Sequence, residues 1–324
     1  MKYTEAPSFL KSFIMQKKII ENRSDLTVNE YCNDLCNFFK YIYAKKNKMS
    51  EEDVDLENIG MSFVTNVSSA DIYDYMLHVA LNKANQAAAR ARKLVSIRSF
   101  FAHLKKEKLI KENPASDISS PAVKQALPKY LSLEESQRLL EVIKNDTANL
   151  NKERDYAIVV LFLNCGMRLS ELVGINLHDI NYTENKLTVT GKGNKQRTIY
   201  LNAMCMDALS QYMTKRRALT CKDANALFVS RNSNRLSNKT VQWTVQKYLN
   251  LAGLSGKGLS THKLRHTAAT LMYGTGKVDI RVLKDILGHE QLNTTQIYTH
   301  VSDSQMKRAM DLNPLSANEN NKED

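Results

Sequence analysis

Three of the chain's five prolines, Pro114, Pro121 and Pro128, fall inside one short stretch, NPASDISSPAVKQALPKY. Proline lacks a backbone N–H and keeps the residue before it out of the helical region, so neither a long helix nor an inner strand can cross that stretch. It reads as an interdomain linker over 113–129, which leaves two parts that must each build a core. Upstream, apolar residues recur every three or four positions: Phe9, Phe13 and Ile14; Tyr31, Leu35, Phe38, Phe39 and Ile42; Leu94, Ile97, Phe101 and Leu104. That spacing predicts amphipathic helices over 8–22, 27–48, 69–81 and 84–107, packed as a helical domain at 1–112.

Downstream the pattern is mixed. Ser132 followed three residues later by Glu135 predicts a capping box, and a longer apolar helix covers about 155–164. NKLTVTGKGNKQRTIYL, at 185–201, alternates β-branched with polar residues around Gly191-Lys192-Gly193, the pattern of strand, turn and strand. Helical spacing returns from about 202, with breaks at 253–258 and 274–276. The expectation is a second domain at 130–312 and a disordered polar tail at 313–324. The fold class expected is mainly α with a small antiparallel β-sheet. No internal repeat is visible.

Of the 324 residues 43% are hydrophobic, ample for a packed core in each domain. The longest apolar run, YAIVVLFL at 156–163, is too short to cross a bilayer, and the opening MKYTEAPSF carries no secretory apolar segment. A soluble, cytoplasmic protein is expected. The five cysteines are scattered and never spaced as CxxC, which argues against a disulfide framework and a structural zinc site. Cys32 and Cys36, four apart on an apolar face, read as buried thiols.

Lys and Arg number 46 against 34 Asp and Glu, a formal charge of +12, which suggests a polyanionic partner. The charge is sorted along the chain. Residues 51–74 hold seven acids and no base, whereas 83–111 hold nine bases and one acid, Glu107. A charge run of this kind is often a solvated face. Here the acids that would pair the bases along their own helix are missing, so phosphates are the expected counter-charge, with Lys83, Arg90, Arg92, Lys93 and Arg98 facing them.

Four blocks in the second half carry chemistry. In CGMRLSELVGI, at 165–175, Gly166 ends an apolar helix, Arg168 follows and Glu171 lies one turn on. Gly191-Lys192-Gly193 puts a mobile lysine at a turn; it is not a Walker loop, because GxxxxGK[ST] is absent. In HKLRHTAAT, at 262–270, His262 and Arg265 share a helical face, with Leu264 and His266 read as turned aside. In LGHEQLNTTQIYTHV, at 287–301, His289 follows Gly288 and Tyr298 lies nine residues on. Taken singly, each block has a plainer reading: a surface Arg–Glu pair, a solvated lysine, a buried histidine bonded to backbone, a packing tyrosine. Together they supply what phosphodiester transfer needs. Arg168 and Arg265 offer planar donor forks to non-bridging oxygens. The phenol of Tyr298 is a nucleophile that needs a cationic field or a base, His262 or His289 can serve as base or donor, and Lys192 as acid. No Asp/Glu cluster is present to hold Mg²⁺, so no metal and no cofactor is expected.

In the order and spacing CGMRLSEL, GKGNKQR, HKLRH and LGHEQLNTTQIYTHV, the sequence resembles the tyrosine recombinase (phage integrase) family, and within it the Xer-type recombinases. The resemblance spans nearly the whole chain and implies a helical, SAM-like core-binding domain followed by an α/β catalytic domain, without an arm-binding domain. It assigns Arg168 as the first arginine, Lys192 as the lysine that protonates the departing 5′ oxygen, His262 and Arg265 as the HxxR pair, His289 as the third-motif histidine and Tyr298 as the nucleophile. Glu171 would support Arg168. It further implies a 3′-phosphotyrosyl intermediate on double-stranded DNA, strand exchange without ATP through a Holliday junction, and a homotetramer, or a tetramer shared with a second recombinase. The segment 303–312, with Met306 and Met310, would dock into a neighbouring protomer. The expected roles are chromosome dimer resolution, integration and excision, or inversion. A type IB topoisomerase would use related chemistry as a monomer, and a DNA-binding regulator would leave the cationic set around Tyr298 without a purpose.

Overall fold

Ser24 opens the longest helix by accepting the Thr27 N–H on its side chain, and Lys48, in the left-handed region at φ 54°, closes it. Between them Val28, Cys32, Leu35, Phe38, Phe39 and Ile42 form one buried face. The computed structural model describes residues 2–81, 86–121, 129–191, 194–219 and 221–288. It divides into two compact units, Met1–Ala126 and Leu127–Asp324.

In the first unit the helices are α1 (Lys11–Met15), α2 (Asp25–Asn47), α3 (Met61–Thr65), α4 (Ser69–Leu81) and α5 (Ala87–Lys106). The expected helix at 8–22 is finer-grained than its periodicity suggests. A 3₁₀ turn, Ser8–Leu10, follows Pro7, and α1 widens into a π-helical turn over Gln16–Ile20. The core is aromatic: Phe39 meets Phe9 and Phe100 at 4.8 and 5.6 Å between ring centroids, and Phe38 meets Tyr75 at 5.2 Å, all edge to face. Cys32 and Cys36 are buried free thiols, as their spacing predicts.

The proline-rich stretch is not free along its whole length. Asn113 accepts the Ala115 N–H on its side chain, Ala115 and Ile118 are buried, and the Arg98 guanidinium donates to the carbonyls of both. Proline excludes regular structure there, but the fork of Arg98 supplies the carbonyls' missing partners.

The second unit is built on α7 (Lys152–Cys165), whose residues from Arg154 to Leu163 are all buried. Around it pack α6 (Leu133–Lys144), α9 (Ala203–Arg216) and α11 (Thr261–Gly274). The capping box of Ser132 and Glu135 starts α6 as expected. After α8 (Leu169–Gly174) the chain forms a three-stranded antiparallel sheet, β1 (Ile180–Asn181), β2 (Lys186–Thr190) and β3 (Gln196–Tyr200), with Thr190 opposite Gln196 at the β2–β3 turn. Leu187, Val189 and Ile199 face the core. Helices α10 (Asn238–Leu251) and α12 (Ile280–Leu287) complete the described chain. No described helix is long and apolar enough to cross a membrane.

Candidate active site

The end of a fully buried helix is a costly place unless its carbonyls find donors. Gly166, at φ 57°, turns the chain away from α7, and its carbonyl accepts Nη1 of Arg265 at 2.9 Å. A Cβ at residue 166 would stand 2.8 Å from Leu287 Cδ2, so the close approach of α12 also requires glycine.

Arg168 caps α8, and Glu171 in the first turn answers it. Oε2 of Glu171 accepts the Arg168 backbone N–H at 2.7 Å and Oε1 accepts its Nη1 at 2.8 Å. The same carboxylate takes Nη2 of Arg197 at 2.9 Å and Nε at 3.3 Å. The side chain of Glu171 is wholly buried, whereas that of Arg168 is 36% exposed. Burial pushes the Glu171 carboxyl up, but the Arg197 hydrogen bonds and the Arg168 N–H outweigh it and hold the pKa below the ordinary range.

The three guanidinium groups then meet at the C-terminal end of α12. Arg197 donates to the carbonyl of Ile286, Arg265 to that of Leu287 at 2.7 Å and Arg168 to that of Gly288 at 2.7 Å. Three successive carbonyls of a helix end, each without a partner inside the helix, thus gather cations from residues 168, 197 and 265. Gly288, at φ 65°, leads the chain out beside them, and a Cβ there would lie 2.7 Å from Arg197 Cδ.

His262, one turn before Arg265, keeps a solvent-exposed side. Its pKa is lowered by burial first, then by Arg265, Lys263 and Arg168. Its Nε2 lies 3.0 Å from Nε2 of His266, and the two rings are edge to face at 83°. This corrects the sequence reading that turns His266 aside: residues four apart on a helix are neighbours as surely as residues three apart. Burial first, then His262, Lys263 and Arg265, take His266 down to about 4. At neutral pH both imidazoles are therefore uncharged, one ring N–H donating to the other ring nitrogen.

The structure thus brings together Arg168, Glu171, His262 and Arg265. Lys192, His289 and Tyr298 lie outside the described residues, as do Lys83 and the 303–312 segment with Met306 and Met310. The neighbours of two of them are placed, however. Gly191, before Lys192, sits where a Cβ would be 3.4 Å from Glu171 Oε1, and Gly288, before His289, carries the carbonyl held by Arg168. Arg197 is the site residue that the sequence reading misses. Its signal is the strand alternation: Arg197 shares a face with buried Ile199, and a charge on the inner face of a strand requires an internal partner. Among the described residues no group of His, Cys, Asp and Glu could hold a metal ion.

The basic helix α5 differs from expectation in one respect. Its counter-charge comes from α2, not from its own sequence. Buried Asp34 takes Arg92 at 2.5 Å, Lys93 at 3.2 Å and the Ser96 hydroxyl at 2.8 Å, and Arg92 also reaches Glu30 at 2.8 Å. Arg98 is committed to backbone carbonyls, and Arg90 is part-buried.

Compared with known proteins, residues 129–305 match the Phage integrase family and residues 10–108 match the phage integrase N-terminal SAM-like domain. Tyrosine recombinase XerC of Caldanaerobacter subterraneus subsp. tengcongensis is 47% identical over 98% of this chain and 89% of its own length. Tyrosine recombinase XerC of Thermodesulfovibrio yellowstonii is 35% identical over 92% of this chain and 93% of its own. A crystal structure of the XerH site-specific recombinase bound to palindromic difH substrate, post-cleavage, superposes with a TM-score of 0.72 at 20% identity, covering 94% of this chain and 83% of that one, a likeness of fold.

Proposed function

The chain belongs to the phage integrase family of tyrosine recombinases, and we propose that it cuts and rejoins double-stranded DNA site-specifically by the following division of labour. Tyr298 attacks the scissile phosphate, forming the phosphotyrosyl bond at the 3′ side while the bond to the 5′ oxygen breaks. Arg168 and Arg265 hold the non-bridging oxygens as negative charge grows on them. Lys192 gives the departing 5′ oxygen its proton. His262 and His289 donate to the phosphate or accept the phenol proton. Glu171 fixes the direction of Arg168 by holding two of its N–H groups. Because the phosphoester is kept as a covalent intermediate, a 5′-hydroxyl from a second duplex reverses the step with no ATP. Exchange then proceeds through a Holliday junction in an assembly of four copies, or of this chain with a second recombinase, and resolution of chromosome dimers fits this chemistry. Lys83, Arg90, Arg92 and Lys93 are proposed to contribute to the DNA-binding surface of the first unit, while Arg98, given to the carbonyls of Ala115 and Ile118, supports that surface from within.

The observation that carries this reading is the convergence of guanidinium groups from residues 168, 197 and 265 on the last carbonyls of α12, immediately before His289. Fixed cations in a preorganised cluster are what an in-line phosphoryl displacement requires. The test is a nicked suicide duplex that traps the covalent intermediate. A protein–DNA adduct that forms with the native chain and disappears with Tyr298→Phe is the expected result. Adduct formation that persists in Tyr298→Phe would overturn the assignment of the nucleophile. Joining between two duplexes, as opposed to relaxation alone, then separates recombination from topoisomerase action.

A further inference from the structure

Arg168 and Arg265 are each held at two points or more, Arg168 by Glu171 and the Gly288 carbonyl, Arg265 by the carbonyls of Gly166 and Leu287. His262 is held differently. Its side chain keeps an exposed side, and among the described residues its one hydrogen-bond partner is His266, Nε2 to Nε2 at 3.0 Å. The helix beneath the pair is pinned. Leu264, Arg265, His266 and Thr267 are all buried, and the Thr267 hydroxyl accepts the Leu131 N–H at 3.0 Å while donating to the Lys263 carbonyl at 2.9 Å. That ties α11 to the chain preceding α6, so the freedom left to His262 is rotation of its own ring. His266, 8% exposed, stops that rotation, the edge of one ring set against the face of the other. A reacting group displaced by about 1 Å can lose about 100-fold in rate, so the stop matters beyond the energy of one hydrogen bond.

A bond between two imidazoles also sets where their protons lie. A neutral ring has one N–H and one bare nitrogen, so one Nε2 gives and the other takes. Once His262 carries a proton on both nitrogens a single arrangement remains: its Nε2–H donates, and His266, with its own proton on Nδ1, accepts. The charge stays on His262, because His266 is buried and faces His262, Lys263 and Arg265, which together keep it neutral. A base oriented by a third group in this way is the general pattern of an activated nucleophile. The choice of an imidazole for that third group has a physical reason. A carboxylate in its place would accept the same bond but cancel part of the positive charge that Arg168 and Arg265 present to an anion.

We infer that His266 is a positioning residue: it clamps the His262 ring by Nε2, leaves Nδ1 as the nitrogen that serves the reaction, and accepts the Nε2 hydrogen bond whenever His262 is doubly protonated. This deepens the function proposed above and rests on it in one respect, that His262 acts on the scissile phosphate or the phenol proton. The test compares His266→Gln, His266→Asn and His266→Phe in the full chain. A glutamine amide reaches the position of Nε2, an asparagine amide only that of Nδ1, and phenylalanine keeps a ring without a polar atom. On the nicked suicide duplex, at saturating protein, adduct formation should slow about 10- to 100-fold in His266→Asn and His266→Phe, part of what a positioned acid–base group contributes, with DNA affinity unchanged. His266→Gln should stay within about fivefold of the native rate, because its amide restores an acceptor and a donor at the same point. In DNA-free chain isotope-labelled at its histidine nitrogens, the shared proton should couple to Nε2 of both rings, a magnetic resonance signal absent from His266→Phe. A native rate in His266→Phe would overturn the inference, as would a native spectrum without the shared coupling. So would rates across the three variants that follow their urea unfolding midpoints instead of the reach of the amide. The coupling needs no DNA, so a native chain that forms no adduct would sink the function proposed above while the spectrum still decides the histidine pair.

Discussion

Asp34 and Glu171, one in each unit, are both buried carboxylates that receive two cationic side chains, yet they put that charge to different use. Around Asp34 the bases Arg92 and Lys93 face two acids, because Arg92 also reaches Glu30. The charges cancel, and what remains is the fastening of α5 to α2. Around Glu171 a single carboxylate faces Arg168 and Arg197, and Arg265 reaches the same helix end. The helix C-terminus offsets only about half a charge, so the cluster keeps a positive surplus in a fixed geometry. A balanced cluster joins two helices, whereas an unbalanced one is prepared for an anion.

The largest expected effect breaks the unbalanced cluster. Glu171→Gln keeps the shape but removes the charge that holds two guanidinium groups, so the rate of adduct formation on suicide DNA should fall about 100- to 1,000-fold, the scale of losing a preorganised electrostatic contact. Stability should drop as well, by about 3 kcal/mol, because the arginines are left without their carboxylate. An unchanged adduct rate would show that Glu171 does not aim Arg168. Asp34→Asn is the matched change in the first unit. It should cost a similar ~3 kcal/mol in urea unfolding, yet leave the adduct rate at saturating protein unchanged. A loss of rate with Asp34→Asn at saturation would erase the distinction between the clusters.

The sequence exposes the parts of this comparison that are local. Ser132 with Glu135, Gly166 after an apolar helix, and Thr188 to Thr198 alternating across a turn all act within a few residues, and each takes the form its spacing predicts. Arg168 with Glu171 is legible for the same reason. The partners of α5 are not, because Asp34 lies 58 residues before Arg92 and only the packing of α5 on α2 joins them. Nor is the gathering on the α12 carbonyls, which spans 120 residues between Arg168 and Gly288. Arg197 and His266 are intermediate cases. Strand alternation marks the first and a count of four along α11 marks the second, so both signals were present in the sequence.

A smaller effect concerns the neutral histidines beside the unbalanced cluster. Burial holds His266 at about 4, against an ordinary 6.5, so on lowering the pH the unfolded chain takes up its proton first. The contribution is complete above pH 6.5 and is lost progressively between about 6.5 and about 4, then stays constant. The thermal midpoint of the native chain should therefore decline over that interval. His266→Gln should flatten the upper part of the decline, leaving the lower part to Glu171 and the other carboxylates. A profile identical in both proteins would mean that His266 is as easily protonated in the folded state as in the unfolded one.

The smallest effect separates cations that are spent from cations that are available. Each phosphate contact adds about 0.9 to the slope of log affinity against log salt. Arg98 donates to the carbonyls of Ala115 and Ile118, so its charge is used to pin the stretch after α5. Arg98→Gln should thus lower stability by about 1–2 kcal/mol while the slope stays as it was. Arg92 is half-exposed and divided between Asp34 and Glu30, a pair that phosphate can outcompete on the outer side. Arg92→Gln should reduce the slope, by at most one contact's share. If Arg98→Gln lowered the slope as much as Arg92→Gln, the guanidinium of Arg98 would have to leave its carbonyls for DNA, and the first unit would hold its positive charge as loosely as the second holds its own firmly.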